Sequence, residues 1–214
     1  MIRGVGLYRS MACQSAEVAR GAKRAILEHY DDAATSWSFP PRRSTLAVDE
    51  KRLVVVDEWE SDSEYESHQR ADDGGCFWNE NKRLHELLLE PPTVEYYPEA
   101  WHISKPRRRD EETIGILVRQ RAASAEDGAA LRDAQREAYE RQMPREPGCT
   151  CCIILGPDVD VGAGQVRIIE LWKTMDDFAF HENSEWHARG EEKVVPLVID
   201  MDCDFVRGYQ LLQN

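Results

Sequence analysis

The sequence feature that most constrains the fold is a spacing of tryptophan, a second aromatic residue and histidine that occurs twice. In both halves of the 214-residue chain, the second aromatic residue follows the tryptophan by six positions and the histidine follows it by nine. A spacing of three residue types shared by two halves indicates an internal duplication. The two sets are Trp59, Tyr65 and His68 in the first half, and Trp172, Phe178 and His181 in the second.

The segments around the two sets follow the same predicted order of strand, helix, two strands, helix and strand. Ser15 and Ser124 each open a helical stretch, as N-cap residues do. A polar, charge-dense segment at 104–112 is typical of a linker. We therefore predict repeat units at 1–103 and 113–214. Each is a split β-α-β, ferredoxin-like unit of the α+β class, and the two sheets could pack face to face.

The extents of three helical segments are also predicted. The first helix should end near Tyr30, with a loop over 31–41 that contains two prolines. A helix should resume over 78–90 and stop at the next pair of prolines. In the second half, the residues 176–195 are expected to form one helical stretch.

Composition narrows the partners that the chain can bind. The net charge is −13, so neither a nucleic acid nor an anionic membrane surface is expected as a partner. No run of apolar residues approaches the roughly 20 needed to span a bilayer. The first residues lack the apolar stretch of a secretory signal. These observations predict a cytoplasmic protein with reduced cysteines.

Residues 58–68, with the sequence EWESDSEYESH, resemble the strand-to-helix signature of antibiotic biosynthesis monooxygenase domains. Residues 170–181 carry a weaker version of it. The resemblance covers nearly the whole chain as a tandem pair and implies the dimeric α/β-barrel form of the ferredoxin-like fold. It also implies that one polypeptide forms a pseudo-dimer in place of the usual homodimer, while further pairing of chains stays open.

The resemblance implies a monooxygenase of secondary-metabolite biosynthesis. Its quinone-forming relatives oxidise a small polycyclic aromatic substrate of polyketide type (a phenol, anthrone or hydroquinone) with O₂, without metal and often without a bound cofactor. Tandem relatives that open rings of their substrates use reduced flavin supplied by a partner. For this chain, the resemblance implies a flavin reductase as a possible partner. No G-x-G-x-x-G fingerprint follows a strand in this sequence. Two alternatives stay open: a non-oxidative cyclase or rearrangement enzyme, and a haem-binding protein of the same fold.

The family pattern places a tryptophan at a strand end in the pocket, a tyrosine six residues later and an asparagine four residues earlier. Trp59 and Tyr65 match the first two positions, whereas Val55 replaces the asparagine. In the second half Phe178 replaces the tyrosine and Ile168 replaces the asparagine. The first half therefore keeps more of the pattern and is the favoured location of the active site.

The two histidines are the candidate general bases, because an unperturbed imidazole titrates near pH 6.5 and can accept a phenolic proton. They could instead be surface or packing residues of the helix. The two tryptophans are either core residues or flat walls for a stacked aromatic ligand. Tyr65 could donate a hydrogen bond to a substrate oxygen. The predicted catalytic residues are His68, Tyr65, Trp59, His181 and Trp172.

Charged residues near the two sets complete the predicted pocket. Arg9 and Arg119 lie on the opening strands, where each should pair with an acidic group or anchor a phenolate. Asp57 and Glu170 precede their tryptophans by two residues and share their strand face, so a carboxylate there could orient a base or act as one. The predicted pocket residues are Tyr8, Arg9, Asp57, Trp78, Arg119, Glu170, Phe178 and Trp186.

No metal site is predicted. His181 and His187 are six residues apart, and residues at that spacing on one helix do not share a face. The spacing of the six cysteines matches no zinc-binding framework.

Overall fold

The computed structural model describes residues 4–36, 41–70, 86–105, 112–157 and 164–213. Within these residues, no helix is long and apolar enough to cross a bilayer. The first half contains β1 (Gly4–Ala12), α1 (Ala16–Ser36), β2 (Arg43–Val48), β3 (Arg52–Trp59), α2 (Asp62–Arg70) and β4 (Thr93–Ser104). The second half contains β5 (Thr113–Arg121), α3 (Ala125–Gln142), β6 (Cys149–Leu155), β7 (Gln165–Trp172), α4 (Met175–Glu182), α5 (Glu185–Val194), a 3-10 helix (Val195–Leu197) and β8 (Asp200–Gln213).

The eight strands close into one antiparallel barrel in the order β1-β3-β2-β8-β5-β7-β6-β4. Each half contributes four strands in the same order, β4-β1-β3-β2 and β8-β5-β7-β6. Pairing of β2 with β8 and of β4 with β6 joins the halves. The predicted mixture of strands and helices is confirmed. The predicted face-to-face packing of two sheets is wrong, because the sheets join edge to edge and leave none of these strands with a free edge.

Side chains along each strand alternate between the barrel interior and the outer face that the helices cover. Val54 and Val56 of β3 pack inside the barrel, whereas Val55 packs under the helix of the first half. In β7, Ile169 packs inside and Ile168 packs under the helices of the second half. The protein therefore has one core inside the barrel and one core under the helices of each half.

Helix α1 continues to Ser36, so the predicted end near Tyr30 and the loop predicted from residue 31 are wrong over 31–36. This stretch contains two alanines and neither glycine nor proline, so nothing in it opposes the helix. Most of the helix predicted over 78–90 lies outside the described residues.

The helical stretch predicted over 176–195 is two helices rather than one. Helix α4 ends at Glu182, and Ser184 caps α5 by accepting a hydrogen bond from the backbone N–H of His187 at 3.1 Å. A serine favours this position because its hydroxyl satisfies a backbone donor that has no partner within the helix. The chain turns between His181 and His187 as a result.

A charged pair that was not predicted from the sequence lies inside the barrel. His102 Nδ1 of β4 lies 2.7 Å from Glu58 Oε1 of β3, and both side chains are buried. Burial lowers the pKa of His102, but the charge of Glu58 and the neighbouring Cys151 outweigh burial and raise this pKa to about 10. His102 therefore carries a positive charge at neutral pH, next to the carboxylate of Glu58.

This pair predicts how stability depends on pH. The pKa of His102 is higher in the folded protein than the usual value near 6.5, so its stabilisation is complete below pH 6.5 and is lost as the pH rises towards 10. Across that window the free energy of unfolding should fall by up to about 1.4 kcal/mol per pH unit. Urea denaturation from pH 6.5 to 9.5 measures this dependence. The double variant Glu58→Gln/His102→Asn should lack it, and parallel curves for the two proteins would contradict the assignment.

Candidate active site

A cavity of about 530 Å³ lies in the second half, between the outer face of the barrel and the helices α3, α4 and α5. Strands β5, β7 and β8 form its floor. Its size is in the range of sites that enclose a small organic ligand. Apolar side chains form most of its wall, among them Ile116, Val118, Ile168, Phe178, Val194 and Phe205.

Apolar side chains also surround the opening of this cavity. Val195, Met201 and Phe205 line the cavity and are each more than half exposed to solvent. Phe205 contacts Phe178 edge to face, with ring centroids 5.5 Å apart. Because apolar side chains grouped at an opening favour an apolar ligand over water, the cavity suits a largely hydrophobic molecule.

A buried carboxylate lies in the cavity floor. Glu170 of β7 accepts a hydrogen bond from the Tyr139 hydroxyl and another from Trp172 Nε1, the latter at 2.8 Å. Burial, together with the charge of Glu170, raises the pKa of Tyr139 well above its usual value, so Tyr139 remains a donor. Each carboxylate oxygen of Glu170 therefore has a neutral donor.

His181 of α4 is the buried imidazole of the cavity wall. Its Nδ1 lies 2.9 Å from Glu146 Oε2, and its ring packs 4.8 Å from the Trp172 ring. Ser184 donates a second hydrogen bond to Glu146 at 3.2 Å. In the neutral form of His181, the proton on Nδ1 is donated to Glu146 and Nε2 is the acceptor. Burial lowers the pKa of His181, but the hydrogen bond to Glu146 and the charge of Glu170 raise it above its usual value.

The break between α4 and α5 brings a second histidine to the same wall. The His181 and His187 rings have centroids 4.5 Å apart, and both residues line the cavity. The prediction that these two side chains lie on different faces assumed one continuous helix, and it is wrong. Glu182 joins them, and one ligand atom from each of the three residues lies within 4.8 Å of the other two.

In the first half, the predicted residues Trp59, Tyr65 and His68 also come together. The Trp59 ring centroid lies 5.2 Å from that of Tyr65 and 5.0 Å from that of His68. All three therefore lie at the end of β3 and on α2, as the repeat predicts. The indole Nε1 of Trp59 has no hydrogen-bond partner among the described residues, in contrast to Trp172.

The carboxylate of the first half is enclosed by donors. Asp57 accepts hydrogen bonds from Tyr30 at 2.5 Å and from Ser44 at 2.6 Å, and it forms a buried ion pair with Arg9. Arg9 therefore pairs with an acidic group, as one of its two predicted roles requires. The guanidinium of Arg9 lies beside the carboxylate of Asp57. In the second half, no arginine lies beside Glu170 among the residues that line the cavity.

Strand register explains that difference. Arg9 lies opposite Val55 in the β1–β3 pair, and Val118 lies opposite Ile168 in the β5–β7 pair. Val118, and not Arg119, is therefore the counterpart of Arg9. A shift of one residue turns a side chain to the other face of a strand. Arg119 accordingly lies outside the cavity lining, where it is partly exposed and pairs with Asp202.

Two further pairs of counterparts separate the halves. Met11 and Ile26 are fully buried in the first half. Gln120 occupies the strand position equivalent to Met11, and Gln135 follows its capping serine at the same distance as Ile26 follows Ser15. The two glutamines bond to each other at 2.9 Å and line the cavity.

Three other predicted pocket residues lie elsewhere or are not described. Tyr8 faces the barrel interior, beneath the guanidinium of Arg167 at 4.6 Å, because it neighbours Arg9 on the strand. Trp186 lies outside the cavity lining and packs against Arg145 at 4.3 Å. Trp78 lies outside the described residues. Trp172 is fully buried behind the wall, so it packs against His181 and does not line the cavity.

Two residues that hold Glu170 and His181 in place, Tyr139 and Glu146, were not predicted from the sequence. Tyr139 had a visible signal, because it follows Ser124 by 15 positions, as Tyr30 follows Ser15. Glu146 had none, since it lies in a loop 35 residues before His181.

Comparisons with known proteins bear on the fold. No family model matches this sequence, and no curated protein matches it. A candidate monooxygenase from Lactobacillus acidophilus NCFM has a similar structure, with a TM-score of 0.76, 11% identity, and coverage of 98% of this chain and 94% of that one. A candidate monooxygenase from Fusobacterium nucleatum has a TM-score of 0.70 and 9% identity, with coverage of 98% of this chain and 93% of that one. An anthrone oxidase-like protein has a TM-score of 0.65 and 11% identity, with coverage of 97% of this chain and 90% of that one. At these identities the comparisons establish a shared fold.

The two tyrosine–carboxylate pairs give a stability prediction. Tyr139→Phe should lower the free energy of unfolding by about 1.5–3 kcal/mol, because Glu170 keeps only the hydrogen bond from Trp172. Tyr30→Phe should cost less, since Arg9 and Ser44 still contact Asp57. Chemical denaturation of the two variants measures the difference, and an equal or reversed order would contradict this account.

Proposed function

We propose that the second-half cavity binds a small polycyclic aromatic phenol, anthrone or hydroquinone and oxidises it with O₂. The observation that carries this proposal is a buried base, His181 held by Glu146, in the wall of a largely apolar cavity. This proposal locates the active site in the second half, and not in the first half that the sequence favours.

The residues suit a reaction that begins with proton removal. His181 Nε2 accepts a proton from the substrate, and Glu146 stabilises the resulting imidazolium. The aromatic carbanion donates electrons to O₂ and forms a carbon–oxygen bond. For an anthrone, the methylene group and O₂ become a carbonyl group and one water molecule, which balances atoms and electrons. In this scheme the substrate itself reduces O₂, so the reaction requires no metal.

The cavity lining does not fit two cofactors that the family resemblance raised. Among the described lining residues there are three glutamates and neither lysine nor arginine. The phosphate of a bound flavin mononucleotide and the propionates of haem are anions, and they would meet Glu170, Glu182 and Glu191 with no lysine or arginine to pair with them. We therefore propose oxidation without either group bound. Reduced flavin from a partner reductase remains an arm of the experiment.

Similar structures support this class of reaction. Two of them are candidate monooxygenases, and the third is an anthrone oxidase-like protein. Each is covered over at least nine-tenths of its length by this chain, so the likeness extends over both halves of the barrel.

We also propose that the chain is a pseudo-dimer of two repeat units, 1–103 and 113–214, joined by a linker at 104–112. The repeated strand order and the matched Trp–aromatic–His sets support this division. One polypeptide would then supply both halves of a barrel, and a working site would need no second copy of the chain.

Oxygen consumption tests the proposed reaction. Anthrone and naphthacenone-type phenols are offered to the untagged protein, with and without reduced flavin, and the products are analysed by mass spectrometry. We expect O₂ uptake and a product that has gained one oxygen and lost two hydrogens. His181→Gln should lower the rate by about 10²–10⁴-fold, because it removes the base.

His68→Gln is the matched variant in the other half. Loss of activity in this variant, with full activity in His181→Gln, would place the reaction in the first half and overturn the proposed location. An isomeric product formed equally with and without O₂ would overturn the oxidation itself and indicate the cyclase or rearrangement reaction.

A second prediction tests the role of strand register. Val118→Arg should introduce the arginine that the first half carries at Arg9, so the new guanidinium pairs with Glu170 and fills the cavity. We expect loss of substrate oxidation and of aromatic ligand binding, measured by fluorescence quenching, with the thermal transition retained. Arg119→Ala is the control, since Arg119 lies outside the cavity lining. Full activity in Val118→Arg would contradict the proposed binding site.

A further inference from the structure

We propose that His181, Glu182 and His187 form a binding site for a divalent transition-metal ion such as Zn²⁺. One ligand atom from each residue lies within 4.8 Å of the other two, and all three residues line the cavity. Bonds of about 2.0–2.2 Å from a zinc ion to nitrogen and oxygen require closer atoms, so modest side-chain rotation must bring them together. His187 and Glu182 are partly exposed, which leaves them room to rotate.

The second nitrogen of each imidazole already faces a carboxylate. His181 Nδ1 bonds to Glu146 at 2.9 Å, and His187 Nδ1 lies 4.0 Å from Glu191. Metal-binding histidines are commonly oriented in this way by a carboxylate on the other ring nitrogen. The Nε2 atom of each ring is then the nitrogen that can bind the ion. His187 Nε2 already lies 3.6 Å from Glu182 Oε1.

The ligand set defines the class of metal. Two imidazoles and one carboxylate suit Zn²⁺ and its first-row neighbours, whereas Mg²⁺ and Ca²⁺ prefer oxygen ligands only. Three protein ligands leave a coordination position open towards the cavity. The negative charge of the surrounding glutamates favours a cation at this wall of the cavity.

The first half lacks the same set of residues. The repeat places His68 at the position of His181, but Gln69 stands at the position of Glu182 and Gly74 at that of His187. His68 therefore provides a control in the same protein, because its loss leaves the three proposed ligands unchanged.

Occupation of this site and the proposed oxidation exclude each other, and this part of the inference rests on the proposed function. The lone pair of His181 Nε2 cannot bind a metal ion and accept a substrate proton at the same time. Zn²⁺ should therefore inhibit the oxidation, and the inhibition should require His187 and Glu182.

Isothermal titration of the untagged, chelator-treated protein with Zn²⁺ tests the site without any substrate. We expect one bound ion, with affinity at least tenfold weaker in His187→Ala and in Glu182→Gln and unchanged in His68→Ala. No binding to the wild-type protein, or equal binding to all variants, would overturn the site. Circular dichroism of each variant confirms that loss of binding is not loss of folding.

Oxygen uptake with added Zn²⁺ then separates the two proposals. The quantity compared is the ratio of rates with and without Zn²⁺ within each protein, so a change in the basal rate of a variant does not enter. A ratio well below one in the wild-type protein and close to one in His187→Ala supports both the site and the role of His181 as base. Zn²⁺ binding without inhibition supports the site and contradicts that role. Zn²⁺ binding by a protein that oxidises no substrate in the metal-free state leaves the site standing and overturns the proposed reaction.

Discussion

Closure of the barrel is the constraint on which the rest of the structure depends. Each half supplies four strands, and the edges formed by β2 and β4 pair with β8 and β6 of the other half. A four-stranded sheet alone would leave two unpaired edges and one uncovered face. Closure satisfies the edges, and side chains fill the interior. The remaining outer face must be covered by helices, so a cavity for a ligand arises between that face and the helices.

The two halves meet the same physical requirement in different ways. Each places a carboxylate on the outer face, two residues before its tryptophan, and a buried carboxylate needs hydrogen-bond donors. Asp57 accepts hydrogen bonds from Tyr30 and Ser44 and forms an ion pair with an arginine. Glu170 is longer by one methylene group and reaches both Tyr139 and the indole of its own tryptophan. Valine in place of the arginine then leaves room beside it.

The repeat in the sequence was sufficient to locate both aromatic–histidine clusters, because its three positions span one strand end and one helix. The repeat was insufficient to place Arg119. The equivalent positions of β1 and β5 depend on how these strands pair with β3 and β7, and the sequence does not show that pairing. Glu146 was beyond prediction, because contact between a loop and His181 depends on tertiary structure. The helix break was accessible in principle: Asn183-Ser184-Glu185 combines a residue that ends helices with one that caps them.

A single chain that carries two similar halves can change one of them alone. In a homodimer every substitution appears in both copies, so an opened pocket weakens both cores. Here Met11 and Ile26 keep the first half packed, while Gln120 and Gln135 occupy the equivalent positions of the second. Replacing buried apolar side chains with amides costs about 1–3 kcal/mol each when their polar groups lack partners. The hydrogen bond between the two glutamines offsets part of this cost, so the second half can hold an open, partly polar cavity.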